Sequence, residues 1–296
     1  LREGVVVRAY GGFYYVLPAS LTGEPRPCRV RGRLKRLAGR ILVGERVEYE
    51  PPATATGEGV IEALRPRKVA LLRPPVANVD QLLAVISAAS PPPDLLQLDR
   101  LLCLAGRAGV RPAVCLNKVD LVAPAEADEL LRPYRAAGFP AAAVSARTGA
   151  SLDEVRRWLC GRVSVFAGRS GVGKTALANR LVPDRQAKTG EVSARLRQGR
   201  HTTRHAEFLA LPGGGLLADT PGFAVLQDEG LVQPEQVAEL YPEVARLGGD
   251  CRFRGCLHDQ EPDCAVRQAV EAGEVSAGRY ERYLVLVREA RERRPW

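Results

Sequence analysis

Over the first 65 residues, short strand-like runs are separated by turn signals. Residues 4–8 and 13–17 read as strands flanking Gly11-Gly12, a hairpin signal. Residues 28–35 set apolar or small side chains against Arg29, Arg31, Arg33 and Lys35, so a strand there carries all of those cations on one face. Residues 44–49 and 57–64 supply further strands. About five short strands in so little chain predict a small β-barrel of the OB-fold kind.

Residues 65–77 are rich in Pro and Arg and read as a linker. The pattern then changes. Strand-like runs at 80–87, 111–116, 141–144 and 163–167 alternate with helical spacing at 95–108, 125–137, 152–159 and 174–181. Such alternation predicts an α/β domain with a mostly parallel sheet and ligand chemistry at the C-terminal ends of its strands. Residues 182–205 have little periodicity, and strand character resumes at 208–211 and 216–218. From about residue 231 the pattern is helical, and 275–293 reads as an amphipathic helix with a basic tail. The expected organisation is a barrel over 1–66, a linker over 67–75, an α/β domain over 76–230 and a mostly helical domain over 231–296.

Charge sharpens the picture at the N-terminal end. The chain of 296 residues carries a formal net charge of +9. Residues 1–70 hold 13 Lys+Arg against 7 Asp+Glu, whereas residues 231–296 hold 10 against 12. Guanidinium groups concentrated on a barrel, with Tyr10, Phe13, Tyr14 and Tyr15 nearby, suit phosphate or RNA contact. No apolar run approaches the roughly 20 residues that span a bilayer. The first residues lack the apolar core of a signal peptide, so a cytoplasmic location without membrane attachment is expected.

The central domain carries the chemistry. Gly168-Arg169-Ser170-Gly171-Val172-Gly173-Lys174-Thr175 matches the phosphate-loop pattern, between an expected strand and an expected helix. Its glycines let backbone N–H groups approach phosphate, Lys174 reaches the β- and γ-phosphates, and Thr175 supplies a hydroxyl to Mg²⁺. Asn117-Lys118-Val119-Asp120 has the composition of a guanine reader. A carboxylate at Asp120 accepts from N1–H and the exocyclic amine, a donor pair that adenine lacks. Ser145-Ala146 places a backbone N–H near the guanine carbonyl oxygen. Asp219-Thr220-Pro221-Gly222 is a metal- and γ-phosphate-sensing segment: Asp219 binds Mg²⁺ through water, and the Gly222 N–H faces the γ-phosphate.

The order of these motifs is unusual. The guanine reader precedes the phosphate loop, although most GTPases have the loop first, so the parts are those of a circularly permuted GTP hydrolase. The residue after Gly222 is Phe223, where many GTPases place a Gln that orients the attacking water. Slow intrinsic turnover is therefore expected, with the missing group coming from His201 or from a bound partner. Thr202 or Thr203 closes on Mg²⁺ and the γ-phosphate, and the sequence does not choose between them.

Cys251, Cys256, His258 and Cys264 fall within 14 residues of a chain that has only three His. Soft and borderline ligands at this density form a closed Cys₃His zinc site, a structural role. The other cysteines, Cys28, Cys103, Cys115 and Cys160, are scattered and read as free thiols.

On these residues the chain resembles the RsgA (YjeQ/YloQ) family of small-subunit-dependent GTPases. The resemblance rests on Arg73-Pro74-Pro75-Val76-Ala77-Asn78-Val79-Asp80-Gln81, the permuted motif order, Gly199-Arg200-His201-Thr202-Thr203-Arg204 and the Cys/His cluster. It implies an N-terminal OB-fold, a permuted GTPase domain and a C-terminal zinc domain. It also implies GTP/GDP, Mg²⁺ and Zn²⁺ as ligands. The implied partners are the small ribosomal subunit and its rRNA, with hydrolysis stimulated by the subunit late in its maturation. Separately, the chain is expected to act as a monomer. Thr175-Ala176 departs from the two serines more frequent in the family, but Thr keeps the hydroxyl. A different class remains open on Phe223: a nucleotide-gated RNA-binding module with negligible turnover. An ATP-dependent nucleic-acid enzyme is disfavoured by Asn117–Asp120.

Overall fold

The computed structural model describes residues 1–32, 34, 41–54, 57–72, 75–182, 207–219 and 233–292. Strands β1 (Arg2–Tyr10), β2 (Phe13–Pro18), β3 (Arg26–Val30), β4 (Arg46–Glu50) and β5 (Gly59–Leu64) close into a barrel in the order β1-β2-β3-β5-β4. All of its pairings are antiparallel except β3 with β5. That order and that one parallel seam are those of an OB barrel. Alternate residues Val6, Val16, Cys28, Val47, Tyr49 and Ile61 point inward and pack with Ile41.

One expected strand is shorter than its charge pattern implies. β3 ends at Val30, and Gly32 and Leu34 already have helical backbone. Gly32 brings no side chain to a pleated ladder, which weakens a strand at that point. Of the expected row of cations, only Arg29 sits on β3; Arg31 follows it, and Arg33 and Lys35 lie outside the described residues.

The segment read as a linker contains a small antiparallel pair, β6 (Ala70–Leu72) with β7 (Pro75–Ala77). The chain just after it is fastened to the barrel. Ala77 N donates to Val43 O at 2.8 Å, and buried Asn78 donates from Nδ2 to Gly44 O at 3.0 Å.

The remaining strands are β8 (Gln81–Ser87), β9 (Arg111–Asn117), β10 (Ala141–Ala143), β11 (Val163–Ala167), β12 (Glu207–Ala210) and β13 (Leu216–Asp219). Backbone pairing orders them β10-β9-β8-β11-β13-β12. β10 runs parallel to β9 and β11 parallel to β13, whereas β12 is antiparallel to β13. Every residue of β8 is buried, as a strand covered on both faces requires. Helices α1 (Leu95–Arg107), α2 (Pro124–Ala136), α3 (Leu152–Leu159) and α4 (Lys174–Leu181) connect the strands. α1 starts where Asp94 Oδ1 accepts from Gln97 N at 3.0 Å, and it buries Leu98, Leu101, Leu102 and Ala105.

The C-terminal part adds α5 (Pro234–Leu240), α6 (Pro242–Leu247), α7 (Ala265–Glu271) and α8 (Ala277–Glu292). By contact density the chain forms two compact units. One comprises Leu1–Leu82, Ala146–Phe166 and Gly173–Phe223; the other comprises Leu83–Ser145, Ala167–Val172 and Ala224–Trp296. In the second, Cys103 of α1 shares a core with Val237, Tyr241, Val244, Val266, Tyr283, Leu286 and Val287. Among the described residues no helix is long and apolar enough to cross a membrane.

Candidate nucleotide-binding site and metal centre

Each motif sits at or just beyond the C-terminal end of its own strand: Asn117 ends β9, Ser145 follows β10, Gly168 follows β11, and Asp219 ends β13. Within the second unit the guanine-reading residues and the phosphate loop are tied together. Asn117 is buried, and its Nδ2 donates to Val172 O at 2.9 Å. Lys118 has left-handed backbone (φ 66°), and its Nζ donates to Gly171 O at 2.7 Å and to Ser90 O. The fully buried Ser145 hydroxyl donates to Asp120 Oδ1. Val119 N reaches Val144 O at 3.3 Å, which brings the β9 and β10 loops together.

The loop needs glycine at its first position. Gly168 has φ +144°, and a Cβ there would lie 2.1 Å from Val85 O. After it, Arg169, Ser170 and Gly171 are exposed while Val172 is buried, so the loop is anchored by its apolar residue and open along its rim. Arg169 Nη1 donates to Asp94 Oδ2 at 3.0 Å.

In the first unit, Gly173 (φ 98°) opens α4, and Leu177 N donates to Gly173 O at 2.9 Å. Loop amides leading into a helix N-terminus favour phosphate. Burial pulls Lys174 below the usual lysine range, and an anion bound beside it would favour the charged form. Thr175 is exposed at the start of α4. A threonine hydroxyl and an aspartate carboxylate, as at Thr175 and Asp219, are hard oxygen donors of the class that Mg²⁺ prefers. Sequence reading missed Arg180. Its Nε donates to Ala146 O at 2.9 Å and its Nη2 to Arg147 O at 2.6 Å, which holds the turn after Ser145. His201, Thr202, Thr203 and Gly222 lie outside the described residues, as does the Asp219 side chain.

Ligand atoms of Cys251, Cys256, His258 and Cys264 all lie within 4.8 Å of one another. Cys251 Sγ is 3.9 Å from Cys264 Sγ, and His258 Nδ1 is 3.5 and 3.3 Å from those two sulfurs. A tetrahedral ion with Zn–S near 2.3 Å needs S···S of about 3.8 Å, so the donor set fits zinc in both chemistry and spacing. Burial lowers the pKa of His258, which favours the neutral ligand form. Burial pushes the Cys256 thiol up to about 12, an environment in which a thiolate needs a cation beside it.

The loop around this cluster is held by residues that sequence reading did not single out. Tyr280 Oη donates to His258 O at 2.7 Å and Tyr283 Oη to Leu257 O at 2.8 Å. Glu261 accepts from Leu257 N and Asp259 N, each at 2.9 Å, and from Gln260 N at 3.1 Å. Burial opposes its ionisation, but these amides outweigh it and hold the carboxyl below its ordinary range.

On the barrel, the candidate RNA-facing cations already have acidic neighbours. Arg29 pairs with Glu58 (2.6 Å) and lies over Phe13 (4.7 Å to the ring centre), and Arg31 pairs with Glu62. Arg8 lies over Tyr15 at 3.9 Å and reaches Glu207 at 3.5 Å.

A family model described as RsgA GTPase matches residues 64–229, and one described as RsgA N-terminal domain matches residues 3–61. The chain is 47% identical over 293 residues to the small ribosomal subunit biogenesis GTPase RsgA of Moorella thermoacetica, covering 98% of this chain and 99% of that one. It is 44% identical over 298 residues to the protein of that name from Geobacillus thermodenitrificans, covering 100% and 99%. Among solved structures it resembles YloQ, described as a circularly permuted GTPase, at TM-score 0.82 and 34% identity, covering 100% of this chain and 96% of that one. YjeQ from Thermotoga maritima matches at TM-score 0.82 and 34% identity, covering 99% of each chain. With the barrel, the permuted motif order and the Cys₃His cluster in one chain, it belongs to the RsgA family of GTPases.

Proposed function

We propose that this chain hydrolyses GTP to GDP and phosphate as a step in biogenesis of the small ribosomal subunit. The observation that carries the reading is the Asp120 carboxylate, oriented by Ser145 and tied through Asn117 and Lys118 to the phosphate loop. In this role Asp120 accepts from the guanine N1–H and amine, and the Ala146 N–H faces the carbonyl oxygen. The loop from Gly168 to Gly173 wraps phosphate and Lys174 spans the β- and γ-phosphates. Thr175 and Asp219, the latter through water, hold Mg²⁺, which supplies charge neutralisation on the phosphates. Gly222 contacts the γ-phosphate and either Thr202 or Thr203 closes over it, with His201 or a bound partner supplying the group that the missing Gln would have provided.

The small subunit and its rRNA are the proposed partners. The barrel contributes Arg29, Arg31 and its aromatic residues, and Cys251, Cys256, His258 and Cys264 hold a structural zinc that fixes the helical domain. The domains run over 1–66, 76–230 and 231–296, with 67–75 between the first two, and the chain acts as a cytoplasmic monomer. GTP turnover measured with and without purified small subunits tests the reading. Strong stimulation means the subunit completes a site that Phe223 leaves unfinished. Nucleotide-dependent subunit binding without turnover favours the gated RNA-binding module instead, and a preference for ATP in simple binding overturns both.

A further inference from the structure

Two acidic side chains, Asp94 at the cap of helix α1 and Asp99 in its first half, make contacts in different directions. At its start, Asp94 caps the helix with Oδ1 and accepts Arg169 of the phosphate loop with Oδ2. Further along, Asp99 is buried and accepts Arg279 Nη1 at 2.7 Å and Arg282 Nε at 2.6 Å, both from α8. Glu243, at the start of α6, binds the other side of the Arg279 guanidinium. The rings of Tyr134 and Tyr241 lie 4.8 and 4.7 Å from it. Arg100 pairs with Glu289 of α8 at 2.7 and 2.8 Å.

Two arginines and two carboxylates thus meet in a largely buried cluster whose charges balance. A buried guanidinium that loses one of its acids is left with an uncompensated charge, so the cluster resists partial rearrangement. From α8 the connection continues to the metal centre. Tyr280 and Tyr283 donate to the carbonyls of His258 and Leu257, the latter beside a ligand and the former of one. Contacts therefore run without a break from Arg169, through Asp94, α1, Asp99 and α8, to the Cys₃His loop, all within one compact unit.

We infer that Asp94 and Asp99 are positioning residues that couple the zinc centre to the phosphate loop, so that zinc occupancy sets the affinity for guanine nucleotide. The inference rests on the reading of the loop as a GTP site and of the cluster as a zinc site. Coupling of this kind requires one equilibrium that responds to both ligands. By reciprocity, a nucleotide whose binding is tightened by zinc tightens zinc by the same factor.

The test uses the full chain. Zinc content is measured, zinc is stripped with a chelator, and the affinity for a fluorescent GDP is compared between the two forms. The expected result is a Kd weaker by roughly five-fold or more without zinc. Asp94→Asn keeps a capping acceptor but removes the charge facing Arg169. In that variant the ratio between zinc-loaded and zinc-free affinities should collapse towards one, with zinc content and Tm near those of the parent. A purely structural role for Asp94 would lower Tm and leave that ratio unchanged, which overturns the inference. Where stripping unfolds the chain, zinc-loaded Arg282→Gln supplies a second arm, since Arg282 lies at the cluster's edge; unchanged GDP affinity there also overturns it. Equal GDP affinity in folded zinc-loaded and zinc-free protein overturns the coupling and leaves the proposed function standing. Absence of bound zinc overturns the zinc reading and the coupling but not the GTP site, whereas absence of GDP binding overturns the GTP-site reading and the coupling together.

Discussion

The Ser145 hydroxyl donates to the Asp120 carboxylate. The acid proposed to read guanine is therefore oriented by a buried side chain from a different loop before any base arrives. Pre-orientation of this kind spares the ordering of a rotor on binding.

Asp120→Asn should lower GTP affinity by roughly 10–100-fold, the worth of charge-assisted hydrogen bonds. It should also shift preference towards XTP, whose extra carbonyl oxygen suits an amide donor. Competition binding with GTP and XTP checks this; an unchanged preference for GTP removes Asp120 from the base-reading role. Ser145→Ala should cost less, about 1 kcal/mol, because only the buttress is lost.

Gly168→Ala places a methyl against Val85 O at a backbone angle that side chains rarely adopt. The expected cost is roughly 3 kcal/mol of stability, together with loss of nucleotide binding. Denaturant unfolding with and without GDP measures both, and a variant that keeps its ligand-induced stabilisation contradicts the account of the loop.

Cys264→Ser should abolish stoichiometric zinc and destabilise the helical C-terminal part, since zinc binding to such sites contributes folding free energy directly. Zinc content per chain together with near-UV circular dichroism reports the outcome. Retention of one zinc per chain would exclude Cys264 as a ligand.

Glu261 gives a pH-dependent prediction. Its folded-state pKa lies below the ordinary 4.5. Its contribution is therefore fully present above 4.5 and disappears as pH falls through the lower folded value. Glu261→Gln should cost about 1 kcal/mol near neutrality, because the carboxylate is only partly buried. The difference in Tm between parent and variant should shrink below pH 4.5. A difference that is constant with pH would assign the effect to shape rather than charge.

Arg29 and Arg31 are engaged by Glu58 and Glu62, and RNA phosphates must compete with those carboxylates. Glu58→Gln combined with Glu62→Gln should tighten RNA binding several-fold at low salt and steepen its salt dependence by up to about two phosphate contacts. RNA titrations across a salt series decide it; unaltered affinity and slope would place the RNA-facing surface elsewhere.

What was legible in the sequence was local. Gly168–Thr175, Asn117–Asp120 and the Cys/His ligands each lie within a loop or a short stretch, where spacing alone fixes which atoms meet. The barrel was legible because its strands are short runs of β-branched and aromatic residues bounded by Gly and Pro. Interactions between distant segments were not. Arg279 and Asp99 are 180 positions apart, and an arginine on an amphipathic helix reads as solvated until its acids are found. Arg180 gives no sign of reaching the carbonyls after Ser145. Asp259, Glu261 and Asp263 look alike in sequence, and only the folded turn shows that Glu261 collects the backbone amides. The short β3 had a visible cause in Gly32, but the regular run of cations across it was the stronger pattern.

The parallel seam between β3 and β5 joins Cys28–Val30 to Gly59–Ile61 and completes the N-terminal ring of strands. A sheet that ends on itself offers no row of free amides and carbonyls along which another polypeptide could lay a strand. This part of the protein is thereby protected from edge-to-edge self-association despite its short, apolar-cored strands. It must meet its partner through side chains and loops, which makes recognition sensitive to salt and to single substitutions rather than to backbone complementarity.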